Sequence, residues 1–185
     1  KNYFFHWPLI HADWRIFVSR HNIPISEKLG LKHLLYRAQI ADDDRWRSME
    51  SNAHKGAVHD SIRSRLKETQ QKASVLFVGS MDLRNGWDTL LQSIPLVNPA
   101  IIPVFKLVVS SSAAMPAPMR DMVEQLRIKN RVLYLGRVTD NNLLKNIYAS
   151  CTIVAIPSRY EGFGLATIEA FEMRKAIVAS SVEAL

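Results

Sequence analysis

The second half of the chain alternates between short apolar runs and longer segments with apolar residues at helical spacing. The runs predict five β strands, at 75–78, 104–109, 132–135, 152–156 and 176–179. The segments between them predict four helices, at 87–97, 118–128, from Asp140 or Asn141 onward, and at 165–173. Because the strands are apolar throughout and alternate with helices, they fit a parallel sheet covered on both faces. The pattern predicts a doubly wound, Rossmann-like α/β domain with ligands at the carboxyl ends of its strands.

The first 72 residues show a different pattern. Apolar residues at helical spacing predict a helix from Ser26 through Gln39, with the stripe Leu31, Leu34, Leu35 and Ala38. Further helices are predicted at 45–55 and from Asp60 or Ser61 to Lys72. Aromatic residues crowd the first 20 positions, and Trp7 and Trp14 are expected to pack against a neighbouring surface. We therefore divide the chain into a mainly helical, basic extension, 1–72, and an α/β domain, 73–185, that is expected to be truncated.

Positive charge is concentrated toward the start of the chain, whose net charge is +7. Between residues 45 and 72, three acidic residues stand against seven basic ones: Arg45, Arg47, Lys55, Arg63, Arg65, Lys67 and Lys72. Two interpretations stay open: a solvated helical face, or a patch that binds an anionic membrane surface or the phosphates of RNA. No stretch reaches the roughly 20 apolar residues needed to span a bilayer.

Cysteine and histidine usage bears on the compartment and on metal chemistry. The chain has one cysteine, Cys151, so an intramolecular disulfide is excluded. A reducing compartment is expected, either the cytoplasm or an organellar matrix, with peripheral attachment to a membrane left open. His54 and His59 are five apart, whereas zinc ligands on one helical face prefer a spacing of four. Because the aspartates at 42–44 precede a predicted helix, they are interpreted as caps, and no metal site is predicted.

The segment after the fourth strand carries the most informative chemistry. That strand ends at Pro157-Ser158, and the chain then turns through 161–164 into a helix. Glycines at 162 and 164 let backbone N–H groups approach an anion closely at the helix start. Glu169 follows Glu161 by eight residues and lies about one turn into the helix. This spacing suits a diphosphate at the helix start and a diol held by Glu169.

These residues resemble a family signature. Pro157-Ser158, 161–164 (Glu-Gly-Phe-Gly) and Glu169-Ala170 are similar to the motif of retaining, nucleotide-sugar-dependent glycosyltransferases with the GT-B fold, family four, group 1. The resemblance covers about residues 73–185 and implies a nucleotide diphosphate sugar as donor substrate, with no cofactor. It implies that Glu169 holds the donor ribose and that Glu161 lies beside the transferred sugar. The backbone of Gly162, Phe163, Gly164 and Leu165 would then face the sugar and phosphates, and a separate acceptor domain or partner chain would complete the enzyme.

The chain departs from the family where the diphosphate binds. The family's first donor-domain strand ends in Gly-Arg and is followed by Lys-Gly, whereas this chain has Gly79-Ser80 and Asn85-Gly86. Arg84, beside Asn85, is expected to supply the remaining positive charge. After the second glutamate's helix the family has Gly-Lys-Pro, and this chain has 174–176 as Arg-Lys-Ala. The alternative is therefore a catalytically degenerate homologue that serves as a structural subunit of a larger, organellar ribonucleoprotein assembly.

Overall fold

The structure is a computed structural model that describes residues 15–17, 34–36, 57–69, 71–109, 112–162 and 164–182. Two short strands, β1 (Arg15–Phe17) and β2 (Leu34–Tyr36), pair in parallel. A second sheet has five parallel strands: β3 (Ser74–Gly79), β4 (Val104–Val109), β5 (Val132–Gly136), β6 (Ile153–Ile156) and β7 (Ala176–Ala179). Its spatial order is β5-β4-β3-β6-β7, so the chain builds one half of the sheet and then returns to build the other.

Helices cover both faces of the five-stranded sheet. They are α1 (Ala57–Thr69), α2 (Trp87–Ser93), α3 (Ala117–Gln125), α4 (Asn141–Ala149) and α5 (Leu165–Glu172). Side chains of α2 and α3 form one apolar cluster with the sheet, whereas α1, α4 and α5 contribute to a second cluster on the other face. The predicted doubly wound α/β fold is confirmed.

Strand β4 shows why a strand of this sheet is apolar at almost every position, Lys106 being the exception. Phe105 and Leu107 point into the cluster under α2 and α3, and Val108 points into the opposite cluster. All six residues of β4 are buried. Neither face meets water, so the two-residue alternation that marks a half-exposed strand is absent from this strand.

The helix predicted from Ser26 through Gln39 is wrong at Leu34–Tyr36, which form strand β2. The three residues pair in parallel with Arg15–Phe17, and that partner lies almost 20 positions away in the sequence. Helical spacing of leucines cannot reveal such a pairing. A short apolar run is compatible with both the 3.6-residue period of a helix and the two-residue period of a strand. The helix predicted at 45–55 and the aromatic residues Trp7 and Trp14 lie outside the described residues.

Helix α1 packs on the five-stranded sheet although it belongs to the stretch assigned to the extension. It begins at Ala57, three residues before the predicted start, and ends at Thr69. Ile62 and Leu66 are buried in the cluster that α4 and β6 also form. The division of the chain at residue 72 stays a prediction, and α1 shows that packing extends across it.

Candidate functional site

The order of the strands creates a crevice at the centre of the sheet. Strands β3 and β6 are neighbours, but the chain leaves β3 toward one edge of the sheet and leaves β6 toward the other. Two loops consequently diverge at the carboxyl ends of these strands: the β3 loop, residues 80–86, and the β6 loop, residues 157–164. Ligands of open α/β sheets bind at this kind of switch point.

The two loops are in direct contact. The backbone N–H of Arg159 donates to the carbonyl oxygen of Arg84 at 2.7 Å. Gly86 has a φ of +69°, and a Cβ at this position would overlap the carbonyl oxygen of Pro157. Glycine is therefore required at 86 by both its conformation and its surroundings. This close approach sets the distance between the two sides of the crevice.

The side chain of Arg159 adds a second connection between the loops and α2. Its Nη1 and Nη2 donate to the two carboxylate oxygens of Asp88 at 2.7 and 2.8 Å, in a bidentate pair. Nη1 also donates to the carbonyl oxygen of Leu83, and Nη2 donates to the hydroxyl of Thr89 at 3.0 Å. The hydrogen bond from Arg159 lowers the pKa of Asp88, and the same bond raises the pKa of Arg159.

Glu161 lies in the β6 loop, four residues before α5 begins at Leu165. The carboxylate of Glu161 accepts from the backbone N–H of Gly162 at 3.2 Å and from the hydroxyl of Ser158 at 3.4 Å. Gly164 has a φ of +76° and precedes Leu165 as the N-cap of α5, without a side chain to satisfy the first N–H groups. The start of α5 can therefore receive an anion. Phe163 lies outside the described residues.

Glu169 lies one turn into α5, as predicted, and is held from a neighbouring helix. The hydroxyl of Tyr148, on α4, donates to Glu169 Oε2 at 2.8 Å. Tyr148 is fully buried, whereas Glu169 is half-buried. Burial, followed by the Glu169 carboxylate, raises the pKa of Tyr148 far above its usual value. The phenol therefore stays protonated and remains a donor to Glu169.

The positions where the family has its two cations are occupied here by a hydrogen-bonded polar pair. Asn85 Nδ2 donates to Ser80 Oγ at 2.8 Å and to the Ser80 carbonyl oxygen at 3.3 Å. Arg84 is half-exposed, and its Nε donates to Asp82 Oδ2 at 3.2 Å. A Cβ at Gly79 would come within 2.8 Å of the Phe77 ring, so that ring accounts for a glycine at the end of β3.

The structure thus places the predicted site residues at the carboxyl end of the sheet: Gly79, Arg84, Glu161, Gly162, Gly164 and Leu165. Sequence reasoning missed Asp88, Arg159 and Tyr148 as parts of this site. Tyr148 lies on the helix predicted from Asp140 or Asn141 onward, 21 positions before Glu169, and Asp88 and Arg159 are 71 positions apart. No local spacing could have connected them.

In the part of the chain that the structure describes, no three His, Cys, Asp or Glu side chains converge as metal ligands, and no helix is long and apolar enough to cross a bilayer. Of the basic stretch 45–72, Arg63, Arg65 and Lys67 lie on α1. Its binding to an anionic membrane or RNA stays a prediction, as does the compartment.

The fold is a doubly wound α/β domain with a crevice at its switch point, and a comparison with family models identifies the class of protein. Residues 58–185 match the family described as Glycosyl transferases group 1. The chain belongs to this family. This is the family that the motif at 157–170 resembles, and the match begins within helix α1.

Individual proteins are similar to this chain in sequence or in fold. An uncharacterized glycosyltransferase of Methanocaldococcus jannaschii is 34% identical over 111 residues, which are 60% of this chain and 28% of that protein. Sucrose-phosphate synthase of Thermosynechococcus elongatus superposes with a TM-score of 0.70 at 23% identity, over 94% of this chain and 42% of its own. HepE of Anabaena, in complex with UDP and glucose, superposes with a TM-score of 0.70 at 19% identity, over 92% of this chain and 45% of its own. The chain thus spans less than half the length of these proteins.

Proposed function

We propose that this chain is the donor-binding domain of a retaining glycosyltransferase that moves a sugar from a nucleoside diphosphate sugar to an acceptor. The observation that carries the proposal is the arrangement of Glu161, the start of α5 and Glu169 along one side of the crevice between β3 and β6. Membership of the glycosyltransferase family supports the same reaction. HepE, one of the structural neighbours, binds UDP and glucose, which supports a nucleotide sugar as the ligand class.

Each proposed contact follows from the position of a residue in the crevice. Glu169 accepts from the ribose hydroxyls, because it lies one turn inside α5 and Tyr148 holds its carboxylate. The first N–H groups of α5, after Gly164, bind the phosphates or the sugar. Glu161, held by Ser158 and Gly162, faces the transferred sugar from the β6 loop.

The rate of sugar transfer depends on how well the protein neutralises the negative charge of the leaving diphosphate. Transfer breaks the bond between the anomeric carbon and a phosphate oxygen, and the electron pair leaves with the nucleoside diphosphate. The acceptor oxygen forms the new bond to the anomeric carbon, and its proton passes to the departing diphosphate. In this chain Arg84 is the cation that we assign to the diphosphate, and losing one electrostatic contact of this kind commonly costs about 10²–10³ in rate. We therefore expect slow turnover compared with a site that has two cations.

A second candidate has a specific observation in its favour. Ser80 and Asn85 bond to one another, so the crevice contains a closed polar pair where the family has cations. A degenerate homologue that retains donor binding without turnover would have this arrangement. The ribonucleoprotein form of this alternative gains no support from the relatives, which are glycosyltransferases. In either case the acceptor site belongs to a second domain or a partner chain.

Calorimetry of the intact protein with UDP-, GDP- and ADP-sugars tests the proposal. We expect at least one donor to bind with micromolar to millimolar affinity. The variant Ser80→Arg with Asn85→Lys should then bind that donor more tightly and turn it over faster, because it restores both cations. Silence across the whole panel from a folded protein would reject donor binding. If the wild-type protein binds a donor without turning it over, and the double variant restores turnover, the chain is a degenerate homologue.

A further inference from the structure

The two Nη atoms of one basic side chain at the crevice make four hydrogen bonds to protein groups. Arg159 lies two residues before Glu161, and its guanidinium reaches away from the β6 loop to the opposite loop and to the first turn of α2. There it contacts the Leu83 carbonyl oxygen, the Asp88 carboxylate and the Thr89 hydroxyl. Its partners lie 70 to 76 positions earlier in the sequence, so it joins two separate parts of the chain.

The partner carboxylate is well placed to keep Arg159 in this position. Asp88 is 16% exposed, and both of its oxygens accept from Arg159 in a bidentate pair. A bidentate arginine–carboxylate pair fixes orientation as well as distance, which a lysine cannot do. Asp88 also belongs to the first turn of α2, where a negative charge is favoured. The contact therefore defines where the guanidinium lies and how it is turned.

The backbone continues the same connection. Arg159 N–H donates to the Arg84 carbonyl oxygen at 2.7 Å, and Gly86 approaches Pro157 so closely that a side chain cannot fit. Arg84 and Glu161 thus sit on loops that are tied together beside both residues. The pairing of β3 with β6 ends at Leu76 and Val154, before the loops begin. The distance between the two sides of the crevice therefore depends on these contacts between the loops more than on the strands.

We propose that Arg159 is a positioning residue which, through Leu83 and Asp88, holds the β3 loop and the start of α2 against the β6 loop, so that one donor can contact both loops. The inference rests on the proposed function and deepens it. A nucleoside monophosphate needs only Glu169 and the start of α5, on one side of the crevice. A nucleoside diphosphate also reaches Arg84, on the other side. Loosening the tie should therefore weaken the diphosphate selectively.

The test uses the intact protein and the variants Arg159→Ala, Arg159→Lys and Asp88→Asn. Arg120→Ala is the matched control, because Arg120 is another exposed arginine near an aspartate, Asp121, and lies on α3. Amide hydrogen exchange at 80–86 is measured without any ligand, and calorimetry compares the nucleoside diphosphate of the bound donor with its monophosphate.

For Arg159→Ala we expect exchange at 80–86 to rise about tenfold or more, because several hydrogen bonds from a charged group are lost. The affinity ratio of diphosphate to monophosphate should fall about tenfold, and kcat/KM about 10- to 100-fold. Arg159→Lys should recover only part of each effect, since it cannot bridge both oxygens. Arg120→Ala should match the wild type.

Unchanged exchange at 80–86 in Arg159→Ala would overturn the proposal, and so would an unchanged affinity ratio in a protein that binds both nucleotides. If Arg159→Ala does not fold, Asp88→Asn decides by the same two measurements. If the wild-type protein binds neither nucleotide, the proposed function fails. The exchange measurement then decides separately whether Arg159 ties the loops.

Discussion

The hydroxyl of Tyr148 donates a hydrogen bond to Glu169 Oε2 at 2.8 Å, from a fully buried position on the neighbouring helix. The bond limits the directions in which the Glu169 carboxylate can point. If Glu169 holds the donor ribose, Tyr148 prepares it before the donor arrives. The relationship joins a core residue to the proposed site and gives a prediction that concerns both stability and binding.

Replacing Tyr148→Phe removes the hydroxyl and keeps the ring. We expect the free energy of unfolding to fall by about 1.5 kcal/mol and donor affinity to fall about fivefold to tenfold, since a bond to a carboxylate is lost. Urea denaturation and calorimetry measure the two effects. Tyr134→Phe is the control, because its hydroxyl donates to the carbonyl oxygens of Ser112 and Ala114 and not to Glu169. A donor affinity equally reduced in both variants would contradict a specific role for Tyr148.

Replacing two glycines of the site by alanine should have different effects on stability. Gly86→Ala forces a side chain into the Pro157 carbonyl at a positive φ, so we expect a loss of about 3 kcal/mol in stability. Gly162 has no atom within 4 Å of an added Cβ. Gly162→Ala should therefore change stability by less than about 0.5 kcal/mol. If the Gly162 backbone faces the donor, donor affinity should nevertheless fall, and calorimetry of a thermally unchanged variant would detect it.

The helix end at Arg174 offers a stabilising substitution. Arg174 has a φ of +53° and donates its N–H to the Phe171 carbonyl, while Lys175 N–H donates to Ala170, the pattern of a Schellman cap. The family has glycine here, and a non-glycine residue in this conformation costs about 1–2 kcal/mol. We expect Arg174→Gly to raise the free energy of unfolding by about 1 kcal/mol.

Two further glycine substitutions serve as comparisons for Arg174→Gly, one expected to stabilise the protein and one expected to destabilise it. Arg127 has a φ of +54° at the end of α3, so Arg127→Gly should stabilise the protein similarly. Arg120 lies within α3, where glycine costs about 1 kcal/mol, so Arg120→Gly should destabilise it. Chemical denaturation of the three variants in parallel checks the signs. Destabilisation by all three glycines would show that the left-handed conformation carries no strain at these ends.

The pair of Asp88 and Arg159 predicts a dependence on acid. Arg159 lowers the pKa of Asp88 below its usual value of 3.8, so the folded protein binds this proton less readily than the unfolded chain. The stability that the charged pair contributes is present above about pH 4 and is lost as the pH falls through the lowered pKa. Asp88→Asn should be less stable than the wild type at neutral pH and should lose less below pH 4. Thermal melts of both proteins from pH 7 to pH 2.5 measure the difference, and parallel curves would contradict it.

Much of the fold could be predicted because its signals are local. Five apolar runs and four amphipathic segments give the sheet and its helices, and the motif from Glu161 to Glu169 lies on one continuous stretch. Its geometry follows from a loop that enters a helix, so spacing alone places Glu169 one turn inside α5.

Features that depend on distant pairing could not be predicted. Strand β2 forms because Leu34–Tyr36 meet β1, and the leucine spacing there also satisfies a helix. Lys106 stands within an apolar run, yet it is fully buried and its Nζ donates to the Ser150 carbonyl at 2.7 Å, while burial lowers its pKa. The contacts of Arg159 with Asp88 and of Tyr148 with Glu169 belong to the same class. Each joins elements whose proximity only the folded chain defines.

Calorimetry of the Glu169→Ala variant tests most directly whether this crevice binds the donor. The intact protein is titrated with the nucleotide sugar that binds the wild type, and Glu172→Ala serves as the control because Glu172 is an exposed carboxylate on the same helix. We predict that Glu169→Ala weakens donor binding at least about tenfold, the loss of hydrogen bonds from ribose to a carboxylate, and that Glu172→Ala binds as the wild type does. Equal affinity of the wild type and Glu169→Ala would contradict the assignment of this crevice as the donor site.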